Sequence, residues 1–488
     1  MGSLIQNERA KLYKKPSTWI LTGIIVGLTL IGLVFSQLMF NDSWTVDWRE
    51  YYKNDLENYT ITLRDDPDNV YVLREYEQTK YLLDNEIPPS DWRTDVVQQY
   101  YLLKYPDPSE DGEPVQPDAE MQKQMAELKA ILDSNDWKAY IRRQIAELES
   151  VGVPSGTEQE KQISIEVYNL YLELEIVPTS SQGYWFGDKT KDASSWKSDE
   201  LQSIKTNKLN LVRGANDNGA LLTRSQRTAI QQAVDVSLER LATNTPPVQS
   251  ESFLGLLEST ASSMELVTLL LIVLAGGAIS TEFSAGTVKL LLITPHRRKK
   301  IFWAKATILL EITLIAAAAV FVLSFLLSGA FTGFQGIGDM QVMTLFGRVC
   351  RFPYLLYILL RCLLMLLPVL AYGALALMLS AVTRKSGVSI AVTLLLMFGS
   401  EIVMSLIGLY TAFTGGAIPG IKFLFFANTS LGNYLPSAAG GMMTAMFGTS
   451  SLTPDGTMTL GFSVVILLIY TVCFLWIARD SFCRRDIK

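Results

Sequence analysis

Six stretches of this chain lack charged residues and are about the length that a helix needs to cross a lipid bilayer. The hydrocarbon core of a bilayer takes about 20 apolar residues of helix. Nothing in that core can satisfy free backbone groups, so helices are the expected structure. Two of the stretches are short, but each extends past one acidic residue, Glu265 or Glu401. We predict transmembrane helices near residues 17–40, 259–281, 302–328, 354–383, 386–408 and 459–478.

The Lys and Arg residues beside these stretches predict the orientation of the chain. Loops on the cytoplasmic side of a membrane carry an excess of positive residues. With six spans, both termini and the loops after helices 2 and 4 lie on one side, and all four segments are basic. We therefore predict that both termini are cytoplasmic. The domains are a cytoplasmic amphipathic segment (1–16), helix 1 (17–40), an extracellular insertion (41–258), and helices 2–6 (259–488).

The insertion is long enough to form a domain with its own core. Residues 41–258 hold 22 Lys and Arg against 39 Asp and Glu, a net charge of −17, whereas the rest of the chain holds 20 against 9, a net charge of +11. Its apolar residues recur with helical spacing, and alternating β-branched residues are scarce. The predicted fold class is an all-α membrane protein with a mostly helical extracellular domain between helices 1 and 2.

Several kinds of chemistry are missing from the sequence. No glycine is followed by lysine, so the phosphate-binding pattern G-x-x-x-x-G-K-[ST] does not occur. The single histidine cannot form a His-based zinc site, and no G-x-S-x-G nucleophile motif is present. We expect no catalytic, cofactor-binding or metal-binding residues in this chain. Energy for any transport would have to come from another protein.

The loop after helix 2, residues 282–300, has the composition of a contact surface. Glu282 follows the second apolar stretch, Gly286 permits a turn, and a strip of Leu and Ile side chains precedes the basic run 296–300. An apolar face bounded by charge is typical of a short helix at a membrane interface. We interpret this loop as the contact for a cytoplasmic partner. The alternative is that Glu282 pairs with a loop lysine and that the basic run only fixes the topology.

Charged residues within membrane helices are costly and are candidates for function, and we single out Arg361 and Glu401 among those in the predicted spans. Arg361 lies 23 residues before Arg384, about 34 Å along a helix, and Glu401 lies 17 residues after it, about 25 Å. Both would then be near the outer ends of helices 4 and 5. We predict an intramembrane ion pair between Arg361 and Glu401.

Four short segments together resemble a known family. They are residues 4–12 (LIQNERAKL), 281–291 (TEFSAGTVKLL), 295–298 (PHRR) and 480–487 (DSFCRRDI). Each segment is degenerate, but their order and topology resemble the permease subunit of a bacterial type-2 ABC transporter. The resemblance is to the subgroup with a large extracellular insertion between helices 1 and 2, and it covers most of the membrane part.

This resemblance implies a multi-pass protein of the bacterial plasma membrane that works with an ATP-binding subunit and a second permease subunit. ATP and Mg would bind to the partner, while this chain would contact lipid and no nucleic acid. We expect export of an amphiphilic peptide, an antibiotic or a lipid-like molecule. The alternatives are a cation exporter, or a mechanotransmitter that acts on the cell envelope through the insertion. The residues expected to couple to the ATPase are Glu8, Glu282, Gly286, Thr287, Leu290, Leu291 and Arg297.

Overall fold

The chain folds into two compact units. The first, here called the membrane unit, contains residues 1–40, 217–229 and 247–488; the second, here called the insertion unit, contains residues 41–216 and 230–246. A computed structural model describes residues 2–40, 47–108, 115–151, 157–180, 195–216, 219, 221–222, 224–249, 252–261, 264–284, 297–345, 347–414, 418, 420–435 and 458–484.

The described residues are mainly helical. In chain order the helices are α1 (Gly2–Tyr13), α2 (Pro16–Phe40), α3 (Trp48–Asp65), α4 (Val70–Asp84), α5 (Trp92–Lys104), α6 (Ala119–Ser134), α7 (Trp137–Val151), α8 (Glu158–Glu173), α9 (Ser195–Arg213), α10 (Arg224–Thr243), α11 (Phe253–Ala261), α12 (Met264–Ala278), α13 (Ser280–Ser284), α14 (Arg298–Thr332), α15 (Tyr354–Thr383), α16 (Ser386–Thr414) and α17 (Leu460–Arg484). Three short 3-10 turns lie between α16 and α17, at Ile421–Phe423, Phe426–Asn428 and Leu431–Tyr434.

Within the described residues, five helices are long and apolar enough to cross a membrane. A sixth span is present if Leu4–Tyr13 and Thr18–Gly32, which meet at a bend of 63°, are counted as one. The chain is therefore a helical membrane protein with several candidate spans, as the charge-free stretches predicted. The five are Leu266–Ser284, Arg298–Thr332, Tyr354–Thr383, Ser386–Ile407 and Leu460–Arg484.

Close contacts at small residues hold the centre of the membrane unit together. A Cβ atom on Gly373 of α15 would lie 2.3 Å from Leu271 Cδ2 of α12, so a larger residue there would force Leu271 to move. Near the C-terminal end of α15, Ser380 Oγ accepts a hydrogen bond from the Ser280 N–H at 3.0 Å. In α16, Ser389 Oγ donates to the carbonyl oxygen of Ala376 in α15 at 2.7 Å. Helices α12 and α15 therefore form the buried centre against which the other helices pack.

One feature departs from the all-helical prediction. Between α14 and α15 the chain forms an antiparallel hairpin of β1 (Met340–Leu345) and β2 (Arg348–Pro353). Leu345 pairs with Arg348, which leaves a two-residue loop, and Gly347 has a φ of +79°, which favours glycine. The two strands pair along their facing edges, so this connection forms local structure without a helix.

The insertion unit is built from helices whose first turns are capped by side chains. Asp47, Asn69, Asp91 and Asp118 each accept a backbone N–H at the start of α3, α4, α5 and α6. At α8, Thr157 and Glu160 form a capping box. Its described regular elements are helices, apart from an isolated bridge between residues 91 and 179. Two apolar clusters, one of them rich in Tyr, fill the spaces between the helices.

Candidate functional site

A group of four charged side chains joins α1 to α13 and α14. Lys305 Nζ of α14 donates to Glu8 Oε2 of α1 at 2.8 Å and to Glu282 Oε1 of α13 at 2.7 Å. Lys11 Nζ donates to Glu8 Oε1 at 2.8 Å and lies 3.6 Å from Glu282 Oε1. We call these four residues the Glu8–Lys305 cluster. Its two ammonium groups balance its two carboxylates.

Burial makes the pairing in this cluster necessary. The Lys305 side chain is only 5% exposed, and those of Glu8 and Glu282 are 10% and 13% exposed. An ammonium group taken out of water is tolerated when carboxylates and hydrogen bonds replace its hydration. Burial raises the pKa of the Glu8 carboxyl, but the charges and hydrogen bonds of Lys305 and Lys11 outweigh that effect and leave this pKa below its ordinary value.

Further contacts hold the same elements from other sides. The guanidinium of Arg9 lies 2.7 Å from the carboxylate of Glu311, so α1 is fastened to α14 at a second point. The guanidinium of Arg384, at the end of α15, lies over the ring of Phe283 at 4.6 Å. Glu282 thus connects α13 to α1 and α14, and the next residue, Phe283, connects α13 to α15.

The structure brings together two of the residues that the sequence singled out. Glu8 and Glu282 are 274 positions apart and share Lys305. Arg297 is exposed at the N-terminus of α14 and makes no side-chain cap hydrogen bond there. Four predicted residues lie outside the described residues, namely Gly286, Thr287, Leu290 and Leu291.

Lys305 and Lys11 were missed as site residues. The sequence showed them only as part of a basic loop and a basic N-terminus, which is also what a topology signal looks like. Glu282 pairs with Lys305, as the first part of the alternative interpretation expected. Glu282 and Lys305 are 23 residues apart in the sequence. Because they belong to separate helices, α13 and α14, helical periodicity could not indicate their contact.

The predicted pair of Arg361 with Glu401 needs correction. Arg361 Nη1 donates instead to Glu258 Oε1 of α11, and Tyr354 Oη donates to the other oxygen of the same carboxylate. The Glu258 side chain is 1% exposed, whereas Glu401 is exposed on α16. Arg361 lies 23 residues before Arg384, about 34 Å along α15. Glu401, at about 25 Å, lies at a different depth.

Comparison with known proteins shows the family to which the chain belongs. The family described as "Protein of unknown function (DUF2705)" matches residues 230–488, more than half of the chain. The chain belongs to this family. The matched residues include Glu258, Glu282, Lys305 and Arg361, whereas Glu8 precedes them.

Two relatives come from Bacillus subtilis (strain 168). The chain is 28% identical to the "Uncharacterized membrane protein YdbK" over 243 residues, which are 49% of this chain and 85% of the relative. It is 26% identical to the "Uncharacterized protein YhcI" over 270 residues, 54% of this chain and 78% of the relative. No solved structure matches the chain. The similarity to a protein named as a membrane protein agrees with the apolar helices and adds no activity.

Proposed function

We propose that this DUF2705 protein is the permease subunit of an ATP-driven exporter of the bacterial plasma membrane. A separate subunit would bind ATP and Mg and hydrolyse the ATP, and a second permease subunit would complete the membrane part. The substrate class is an amphiphilic peptide, an antibiotic or a lipid-like molecule. This assignment rests on the family resemblance of the sequence and on the geometry of the Glu8–Lys305 cluster.

The contact of Glu282 with Lys305 is the observation that carries the proposal. Glu282 begins the loop 282–300, on which a cytoplasmic partner would act. Because Lys305 bonds both Glu282 and Glu8, a displacement of α13 by the partner is resisted unless α1 and α14 move with it. Helix α1 leads directly into α2, and α14 is a candidate span of 35 residues. A force on the loop 282–300 would therefore act on α1, α2 and α14 together.

The proposal is tested by asking whether an ATPase depends on this loop. The tagged chain, purified from its native membranes in mild detergent, should bring with it a protein that hydrolyses MgATP. Changing Leu291 and Leu292 to Asp should remove that protein and its ATPase activity, because two charges would disrupt the apolar strip. The permease should still be found in the membrane fraction.

A matched control places the same charges elsewhere. Leu221 and Val177 are exposed, and their change to Asp should leave the ATPase attached. ATPase recovery that is equal in the two double variants would show that the loop is only a connector. Absence of any ATPase from the unmodified preparation, after crosslinking in the membrane, would contradict the permease assignment itself.

A second candidate function is favoured by the Glu258–Arg361 pair. Helix α11 follows the insertion along the chain, and its buried Glu258 is bonded to Arg361 of α15. A firm link at this point is what a mechanotransmitter needs, because motion of α15 would be passed to the segment that leads out to the insertion. ATPase activity that is indifferent to added amphiphilic substrates, but is changed by Glu258→Gln, would favour this second function over export.

A further inference from the structure

Two lysine–tryptophan pairs with the same spacing lie near the starts of α2 and α14. Lys15 precedes Trp19 by four residues, and Lys299 precedes Trp303 by four. Lys299 and Trp303 both belong to α14 and lie on the same face of it, whereas Lys15 directly precedes α2. Helices α2 and α14 contact each other in the membrane unit. The starts of two neighbouring helices therefore each carry an ammonium group and an indole ring.

Both tryptophans are exposed although they are large and mostly apolar. Trp19 is 60% exposed and Trp303 is 43% exposed. The indole N–H of Trp19 donates to the carbonyl oxygen of Tyr13 at 2.8 Å, so its polar atom is satisfied while its ring stays uncovered. Ile20 and Leu310, which follow on the same helices, are also exposed. Exposed tryptophan beside exposed aliphatic side chains is typical of the boundary between hydrocarbon and headgroups.

The lysines of these pairs differ from three basic residues nearby that are already paired. Lys11, Lys305 and Arg9 each bond a carboxylate of the protein. In the part of the chain that the structure describes, Lys15 and Lys299 are exposed and form no ion pair. Their charge is thus available to an anion from outside the protein, and the tryptophans next to them require that this anion carry an apolar part.

We propose that these two pairs form a binding surface for an anionic phospholipid of the leaflet on the α1 side. Lys15 and Lys299 would contact the phosphate of the headgroup, and Trp19 and Trp303 would contact the first part of the acyl chains. Basic residues at a membrane surface attract anionic lipid in this way. The proposal does not depend on the permease assignment, because it needs only that α2 and α14 enter the membrane.

The test measures binding of phosphatidylglycerol and of phosphatidylcholine to the delipidated full-length protein in detergent, by native mass spectrometry. Phosphatidylglycerol should bind more tightly. In the variant Lys15→Gln with Lys299→Gln, its affinity should fall by roughly tenfold to thirtyfold, while that of phosphatidylcholine should hardly change. Trp19→Ala with Trp303→Ala should weaken both lipids. Millimolar inorganic phosphate should not displace phosphatidylglycerol, since it lacks acyl chains.

The control variant removes the same charge from the same surface. Lys14 and Lys300 are exposed neighbours, but four residues after them stand Thr18 and the buried Ala304 rather than tryptophan. Lys14→Gln with Lys300→Gln should keep most of the lipid preference. Equal losses in the two double variants, or no preference in the unmodified protein, would overturn the proposal. Unchanged lipid binding with loss of a co-purifying ATPase would assign Lys15 and Lys299 to that partner instead.

Discussion

The most deeply buried ion pairs of the membrane unit differ from most ion pairs of the insertion unit in their exposure to solvent. In the membrane unit, the ionised groups of Glu258 and Lys305 are nearly inaccessible, and each joins separate helices. In the insertion unit, many ion pairs include an exposed partner, such as Glu175 with Lys138. Exposed pairs contribute little to stability, whereas breaking a buried pair leaves a charge without hydration. Charges in the membrane unit therefore mark points where helices are fastened together.

The largest effect is expected at Lys305. Lys305→Met would leave the carboxylates of Glu8 and Glu282 poorly solvated and without their shared ammonium group. Loss of one partner of a buried pair typically costs about 3–5 kcal/mol. The thermal unfolding midpoint in detergent and the yield of monodisperse protein should both fall. Lys14→Met, at an exposed position on the same surface, should change little, and similar behaviour of the two variants would contradict the special role of Lys305.

A double-mutant cycle on Arg361 should give the next largest effect. Arg361→Met and Glu258→Gln should be non-additive by about 1–3 kcal/mol, because each single change breaks the same contact. Arg361→Met with Glu401→Gln should be additive, since Glu401 is exposed. Thermal unfolding of the three single variants, the two double variants and their parent measures both cycles. A coupling energy between Arg361 and Glu401 as large as that with Glu258 would restore the pair expected from sequence.

Asp95 of α5 is a half-buried acidic residue of the insertion unit. Burial raises the pKa of its carboxyl to about 6, although Ser180 Oγ donates to it at 2.6 Å. The folded state thus holds this proton more tightly than the unfolded state does. Its contribution to stability is fully present below pH 4 and is lost as the pH rises through about 6.

Asp95→Asn removes this titration while keeping an oxygen that can accept the Ser180 hydrogen bond. At pH 7.5 the variant should be more stable by on the order of 1–3 kcal/mol, and the difference should shrink at pH 5. Pulse proteolysis of the insertion unit in urea, on the full chain, measures it. A difference that does not depend on pH would show that Asp95 is not the titrating group.

The smallest effect concerns a helix cap. Thr157→Ala removes the capping hydroxyl of α8, which typically costs about 1 kcal/mol. Hydrogen exchange of the α8 amides should become faster, with the other helices of the unit unchanged. Thr60→Ala, which removes an exposed hydroxyl inside α3, is the control and should have no comparable effect. Exchange that rises throughout the unit would mean that this local polar contact has a wider role.

The positions of the membrane helices could be predicted from sequence because the bilayer imposes both length and polarity. Predicted spans at 302–328 and 354–383 compare with helices Arg298–Thr332 and Tyr354–Thr383. The hairpin at 340–353 was missed, since its strands are short and lie between long apolar helices. A possible sign was the sequence from Arg348 to Phe352, where basic and apolar residues partly alternate.

The pairing of charges was harder to predict than their positions. Depth along a helix can be counted from sequence, and it placed Arg361 near the outer end of its span. Depth does not say which neighbouring helix supplies the carboxylate that pairs with Arg361. Glu258 was not considered as a membrane residue because it is the last residue of the predicted insertion, 41–258. Lys305 was overlooked for a similar reason, because a basic residue near a helix end has an ordinary explanation in topology.

The central claim is that α1 is fastened to the start of the loop 282–300 through Lys305. The most direct test is the distance between spin labels at Gln6 of α1 and Ser284 of α13, in a chain whose native cysteines have been replaced and which is held in a lipid nanodisc. The parent should give one narrow distance distribution, and Lys305→Met should give a broader one shifted to longer distances. Identical distributions in the parent and in Lys305→Met would contradict the claim.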